Sequence, residues 1–408
     1  DKIINRARDK GVNWKEMAEE YIKSFNEDME ALNCLAPTHS PRATEYISQM
    51  LEDVTAILNN GYAYAVDGDV YFDVEALKSY GKLSHRELED REPGARVVVD
   101  DRKKNPADFA LWKAAKPDEP SWPSPWGPGR PGWHIECSTM SARLLGPSFD
   151  IHGGGQDLVF PHHENELAQS AALGRPMANI WAHNGFVNIN NEKMSKSLGN
   201  TFNVKDIFKC FPPEVLRFFL ISSHYRGPID FSDEALKEAS RALERIYRTL
   251  EAADSFLVIK GFSLTNPPKA LELQEYTELS QKFSAAMDDD LNTSKALGHL
   301  FELVHLINRL VTENEASKVY FLRQLLWAMG EELGLRFKEP KVFLGLLEGI
   351  KLEGKESLKV SLIEEKVAQR NEARSNKDWA KADLLRKELS EMGVTLEDRG
   401  GATSWRFT

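Results

Sequence analysis

The grammar of this chain changes once, near Ser232, and the change bounds every fold the chain can adopt. Before it, short apolar runs alternate with glycine or proline turns and with amphipathic stretches. After it, long amphipathic segments follow one another with no strand-like alternation, and the spacing predicts helices over Glu234–Phe256, Leu271–Met287, Asn292–Thr312 and Ala316–Gly334. Such segments each bury one apolar face and together make a helical bundle. The strand–turn–helix order of the first half is that of an α/β sheet. With 408 residues, 41% of them hydrophobic, the chain can build about two to four domain cores.

In the first half, residues 14–33 place Met17, Tyr21, Ile22, Phe25, Met29 and Leu32 on one helical face. Ala43–Leu58 repeats the pattern and stops at Asn59-Asn60-Gly61. Tyr62–Val66 and Val70–Asp73 flank Asp67-Gly68-Asp69, a hairpin signal because Asp-Gly takes positive φ at low cost. Residues 76–106 are polar and charged and read as an insertion, and Phe109–Lys113 reads as a strand. Six prolines spread over residues 115–132 predict an extended segment in which Trp122 and Trp126 either pack over a site or anchor a loop. Ile135–Leu145 reads as a helix, Phe149–His152 as a short buried strand entering Gly153-Gly154-Gly155, and Phe160–Leu173 as a helix. Val204–Ile207 opens a helical region, and Pro212-Pro213 starts an apolar helix to Ile221. Beyond the bundle, Glu339–Lys359 reads as a connection, Leu362–Met392 as a charged helical stretch, and Gly393–Asp398 with Thr403–Phe407 as a closing hairpin. The expected division is an α/β part over 1–231 with an insertion at about 35–127, a bundle over 232–338, a linker over 339–361 and a small α+β domain over 362–408.

The net charge of −11 points to no nucleic-acid partner, but a local basic surface is all that such a partner needs. No apolar run reaches the roughly 18 residues of a membrane span, and no signal peptide is recognisable. Three separated cysteines, Cys34, Cys137 and Cys210, suit a reducing cytosol better than a disulfide scaffold. Asp1–Ala7 reads as a helix already under way without a cap, so a preceding segment is expected to be missing from the chain.

Three constellations carry chemistry. Lys193-Met194-Ser195-Lys196-Ser197, followed by Leu198-Gly199-Asn200, offers ammonium charge and hydroxyls to a polyphosphate; a solvated basic loop is the plainer alternative. His162 and Glu166 are four apart on a predicted helix and share a face. There they can join in one metal ion or make a surface hydrogen bond. Cys137, read at the start of its helix where the dipole favours thiolate, strengthens the metal reading; a small core residue is its alternative. In His152-Gly153-Gly154-Gly155-Gln156-Asp157 the glycines either let backbone approach a ligand or make a tight turn. Asp157 suits a ribose hydroxyl or a substrate ammonium, His163 adds a polar group nearby, and Trp133 is either a pocket wall or an ordinary buried ring.

Together Trp122–Gly127, Gly132–Ser138, Asp150–Glu166, Lys193–Asn200 and Met287–Thr293 resemble the cysteinyl-tRNA synthetases, class I, in family order over nearly the whole chain. The resemblance implies a Rossmann-like catalytic domain whose first βα unit is missing here, an inserted subdomain, an anticodon-stem bundle and a small anticodon-reading domain. It implies ATP-dependent joining of L-cysteine to tRNA(Cys) through cysteinyl-adenylate, with one Zn²⁺ per chain, Mg²⁺ accompanying ATP, a cytoplasmic setting and a monomeric state. Lys193 and Lys196 become catalytic. Lys196, Ser195, Ser197, Gly154 and Gly155 fall to ATP, and Trp133, Asp157 and His163 to the amino acid. Cys137, His162 and Glu166 become zinc ligands, and a zinc–thiolate bond separates cysteine from its near isostere serine. Trp405 and Arg406 stand where a base is read, although packing suits Trp405 as well. The family's His-x-Gly-His and its fourth ligand, a cysteine, do not occur in the chain, so the 408 residues alone are expected not to form adenylate. Two rivals remain: the cysteine ligase of mycothiol synthesis, and a non-catalytic tRNA-binding relative.

Overall fold

The computed structural model describes residues 2–86, 101–117, 119–189, 192–193, 203–263, 266–269, 271–337, 340–348, 366–371, 373–374, 378–391, 394–399 and 402–407. They form two compact units, one from 1–201, 220–232 and 287–294, the other from 202–219, 233–286 and 295–408.

The first unit opens with α1 (Lys2–Lys10) and α2 (Trp14–Ala31), the latter capped by the Asn13 side chain, which accepts from Lys15 N at 2.8 Å. The periodicity of residues 14–33 is helical as expected, but Tyr21, Ile22 and Phe25 remain exposed, because α1 is the main neighbour of α2 among the described elements. The insertion follows. α3 (Ile47–Asn59) buries Met50, Val54 and Ile57 in one cluster with Val70, Phe72, Leu111 and Trp112. Those four belong to an antiparallel sheet of β1 (Ala63–Val66), β2 (Asp69–Phe72), β3 (Phe109–Ala114) and β4 (Gly129–Pro131), in that order. The Asp67-Gly68 turn forms with φ of 49° and 84°. Asp69 tolerates burial because its carboxylate accepts from Ala114 N, Tyr71 Oη and Arg102 at 2.7–2.9 Å. Trp126 packs at 6.2 Å from Trp112, and Trp122 bridges to Gly129, so both tryptophans anchor this segment.

The insertion is no appendage. Its core cluster takes in Ile135 of α4 (Trp133–Leu145) and Ala168 and Ala172 of α5 (Glu164–Ala172). Buried Asp53 of α3 accepts two bonds from Arg175, at 2.7 and 2.9 Å, and one from Thr139 of α4 at 2.8 Å.

The α/β layer pairs β5 (Ser148–Gly155) parallel to β6 (Met177–Asn184), from Ser148↔Met177 to Gly155↔Asn184. A second sheet has β7 (Val187–Ile189) between β8 (Glu192–Lys193), antiparallel, and β9 (Ile229–Phe231), parallel. Two local expectations change. Gly153–Gly155 continue the strand instead of turning, because each pairs with β6. The helix expected from Phe160 begins at Glu164, after an irregular turn over Val159–His163 in which Phe160 is extended.

In the second unit α6 (Val204–Cys210) and α7 (Pro213–Ile221) precede the bundle of α8 (Asp233–Ile259), α9 (Gln274–Asp288), α10 (Thr293–Thr312) and α11 (Ala316–Glu332). Leu243, Ile246 and Leu250 of α8, with Leu300, Val304 and Ile307 of α10, are fully buried. The expected linker begins as a helix over 340–348. Phe343 is buried and stacks on Tyr247 of α8 at 3.9 Å, so apolar residues there serve the bundle. The chain ends in a helix over Trp379–Glu391 and the hairpin of β10 (Val394–Arg399) and β11 (Ala402–Phe407), in register Leu396↔Trp405. Among the described residues no helix is long and apolar enough to cross a membrane.

Candidate active site and metal centre

Side chains converge where β5 and β6 end, the edge at which α/β sheets place their ligands. β5 brings His152, β6 brings Trp181 and His183, α4 brings Trp133, His134 and Cys137, and the turn into α5 brings His162, His163 and Glu166. The ligand atoms of Cys137, His162 and Glu166 all lie within 4.8 Å of one another, and those of His152, His163 and Glu166 form a second such group around the same carboxylate. The four-residue spacing of His162 and Glu166 survives the irregular turn, with Nε2 2.7 Å from Oε1.

Glu166 is fully buried, and His152 Nε2 stands 3.1 Å from its other oxygen. Neither imidazole N–H is aligned as a hydrogen bond, so both oxygens lack an aligned donor. Burial works to raise this carboxyl, yet His152 and His162 outweigh it and hold it at about 2. Close approach without alignment is the geometry of lone pairs sharing a cation. The thiol gives the same sign. Burial pushes Cys137 up to about 12, and the charges of Glu166 and Glu136 add to the rise. The expected thiolate-favouring helix start is thereby corrected: α4 begins at Trp133, so Cys137 lies past its first turn, and burial, with two carboxylates beside it, overcomes the dipole. A cation among these groups would reverse the balance. A sulfur, nitrogen and oxygen donor set fits a borderline-soft divalent ion such as Zn²⁺.

An imidazole network surrounds the triad. His134 Nδ1 lies 2.8 Å from His162 Nδ1, and burial, with the neighbouring His162, lowers the His134 pKa to about 3. His134 therefore stays neutral and fixes the orientation of the His162 ring. His163 Nδ1 meets His183 Nε2 at 2.8 Å, and burial above all lowers His163 to about 4. The Trp133 ring is 59% exposed and lies 4.1 Å from His162, so it walls the triad instead of filling a core.

The glycines of β5 have a different use from a turn. A Cβ on Gly154 would stand 2.8 Å from His163 Cε1, and one on Gly155 2.6 Å from Asp157 Oδ1. Their bareness seats His163 and Asp157. Gly154→Ala is expected to displace the His163 ring and to cost about 1–3 kcal/mol of stability, read as a lowered thermal midpoint; an unchanged midpoint would count against this seating.

Of the residues singled out in the sequence, the structure gathers Cys137, His162, Glu166, Trp133 and His163 around one point and holds Asp157 against Gly155. Lys193 ends β8, opposite Asn188 of β7. Ser195, Lys196 and Ser197 lie outside the described residues. His134, His152 and His183 were not anticipated. Five of the ten histidines of the chain (134, 152, 162, 163 and 183) sit here, and their crowding between residues 134 and 183 was the available signal.

Comparison with known proteins bears on this site. The family profile described as tRNA synthetases class I (C) catalytic domain matches residues 1–241, the DALR domain matches 282–338, and the cysteinyl-tRNA ligase anticodon binding domain matches 366–406. A cysteine–tRNA ligase of Geobacter sulfurreducens is 49% identical over 409 aligned positions, covering 100% of this chain and 85% of the relative. The chain belongs to the cysteinyl-tRNA synthetase family. A cysteine–tRNA ligase of Geobacter metallireducens is likewise 49% identical, with the same coverage of both chains. Among solved structures, a Mycobacterium tuberculosis methionyl-tRNA synthetase in complex with methionyl-adenylate superposes with a TM-score of 0.55 at 17% identity, covering 86% of this chain and 83% of the other. At that identity the likeness is one of fold: a Rossmann-like class I catalytic domain followed by helices.

Proposed function

We propose that this enzyme attaches L-cysteine to tRNA(Cys), forming cysteinyl-adenylate from ATP and then esterifying the terminal ribose of the tRNA. The observation that carries the reading is the convergence of Cys137, His162 and Glu166 within 4.8 Å in a chain whose whole length aligns with 85% of a cysteine–tRNA ligase. Cys137, His162 and Glu166 would hold a Zn²⁺ ion, which would supply a borderline-soft Lewis acid for the substrate sulfur. The remaining work belongs to the chain. Trp133 walls the amino-acid pocket, Asp157 accepts the ammonium, and His163 adds a polar contact. Gly154 and Gly155 face ATP through their backbone, their Cβ positions being taken by His163 and Asp157. Lys193 and Lys196, aided by Ser195 and Ser197, neutralise phosphate charge as it redistributes, with Mg²⁺ accompanying the nucleotide. We read 1–231 as the catalytic part with its insertion, 232–338 as the bundle that meets the anticodon stem, 339–361 as the connection and 362–408 as the anticodon reader, where Trp405 and Arg406 meet a base. The enzyme works as a monomer in the cytosol, where thiols stay reduced.

The test is charging of a tRNA(Cys) transcript with labelled cysteine by protein expressed from its complete gene. Transfer to an amino sugar instead of tRNA would favour the mycothiol-type ligase; tRNA binding without charging would favour a non-catalytic relative. Lys196→Ala is expected to slow cysteine-dependent ATP–pyrophosphate exchange by about 10²–10³-fold while tRNA binding persists. Native exchange by the variant would remove Lys196 from the mechanism.

A further inference from the structure

Of the three residues between His162 and Glu166, Glu164 and Asn165 turn to the insertion and are almost fully buried, at 1% and 2% exposure. Burying a carboxylate is costly unless its oxygens are satisfied. Both oxygens of Glu164 accept from main chain of the insertion: Oε1 from Gly81 N at 2.8 Å, Oε2 from Ser84 N at 2.7 Å. Asn165 Oδ1 accepts from the buried Tyr80 hydroxyl at 2.6 Å. The turn that supplies these donors is closed by its own bonds, Tyr80 N to Leu77 O at 3.0 Å and Lys82 N to Ser79 O at 3.3 Å. The Tyr80 ring is fixed by stacking on Phe109 at 6.4 Å. Glu164 stands in the first turn of α5, so the helix dipole supports its charge as well.

We propose that Tyr80, Glu164 and Asn165 are positioning residues for the metal centre, and that the turn over 77–84 of the insertion is the element that sets the spacing of His162 and Glu166. The inference rests on the reading of Cys137, His162 and Glu166 as metal ligands. His162 lies in the irregular turn that follows the extended Phe160, before α5 begins, while Glu166 lies in the first turn of α5. What holds the two apart at the right distance must come from outside the helix. The residues directly between them are clamped to the insertion by three bonds, two of them to main chain that cannot rotate away. Loosening the clamp lets α5 slide or unwind by a fraction of an ångström, and metal affinity is steep in that displacement.

The test measures Co²⁺ affinity by titration, with the sulfur-to-cobalt charge-transfer band as the signature of Cys137 in the coordination sphere. Tyr80→Phe removes one hydroxyl and nothing else; Glu164→Gln keeps the shape but turns an amide N–H₂ towards a backbone N–H. Tyr64→Phe is the matched control. It deletes a hydroxyl of the same subdomain that donates to Asp108 at 2.7 Å and accepts from Lys104 N at 2.8 Å, and so bonds to none of Glu164, Asn165 or the ligands. The expected result is a loss of about tenfold in Co²⁺ affinity for Tyr80→Phe, a larger loss for Glu164→Gln, and native affinity for Tyr64→Phe. Equal affinity of Tyr80→Phe and the native protein overturns the positioning role and leaves the metal reading standing. An equal loss in Tyr64→Phe overturns it too, since the effect would then follow stability alone. A native protein without the charge-transfer band overturns the metal reading and this inference with it.

Discussion

Cys137→Ser is expected to lower the affinity of the protein for Zn²⁺ or Co²⁺ by on the order of a hundredfold or more and to erase the sulfur-to-cobalt charge-transfer band. Binding energies of structural zinc sites shared over their ligands come to about 3 kcal/mol for each, which is that factor. The thiolate is also the softest donor of the triad, and a neutral hydroxyl of nearly the same size replaces its chemistry without replacing its bond. The substitution separates binding from folding. Without metal, the thiol is held protonated, up to about 12, by burial and by Glu166 and Glu136, so serine changes little in the apo fold. The unfolding midpoint of the metal-free variant should match that of the native protein, while the upward shift that metal gives the native protein should disappear. A serine variant that still gains the native shift with Zn²⁺ would falsify the triad.

The largest expected loss of stability lies elsewhere, at Asp53. Its carboxylate is 2% exposed and satisfies Arg175 twice and Thr139 once, with Arg143 at 3.4 Å. Asp53→Ala strips the partner from Arg175, whose side chain is only 20% exposed, and leaves the Thr139 hydroxyl buried without its acceptor. Breaking a buried pair on one side costs about 3–5 kcal/mol, and the partial exposure of Arg175 places this case near the lower end. Urea unfolding followed by tryptophan fluorescence would read the loss as a lower midpoint at constant slope. A midpoint within experimental error of the native one would show that water replaces the carboxylate at no cost. Because Asp53 belongs to the insertion while Thr139 and Arg175 flank α5 and β5, the same variant should also soften the seat of the site.

What could be read in advance followed the range of the interactions. Local signals came through: the Asp67-Gly68 hairpin, the four-residue step from His162 to Glu166, the apolar faces of α8, α10 and α11, and the closing hairpin of β10 and β11. Each is decided within a few residues by φ preferences or periodicity. Non-local decisions stayed hidden. Gly153–Gly155 look like a turn until β6 arrives, some thirty positions later, to pair with them. Phe343 looks like part of a linker until Tyr247 stacks on it. Glu164 and Asn165 read as two more polar residues in a histidine-rich stretch, since their partners lie 80–85 positions away in the chain. The site was legible where its ligands lie four residues apart, and illegible where imidazoles from four different elements meet.

The grip of Glu164 on the insertion has a consequence for how this chain can vary over time. The carboxylate takes hold of peptide N–H groups, which every residue but proline carries. The identities of Lys82 and Ser84 are therefore nearly free to drift, while Gly81, at φ +94°, and the glutamate that reaches for it are not. Such a contact shelters the chemistry from most of the substitutions its neighbourhood will meet. Random mutagenesis of residues 81–84 should accordingly yield a sharply uneven harvest, permissive at the side chains that face outward and intolerant at one glycine.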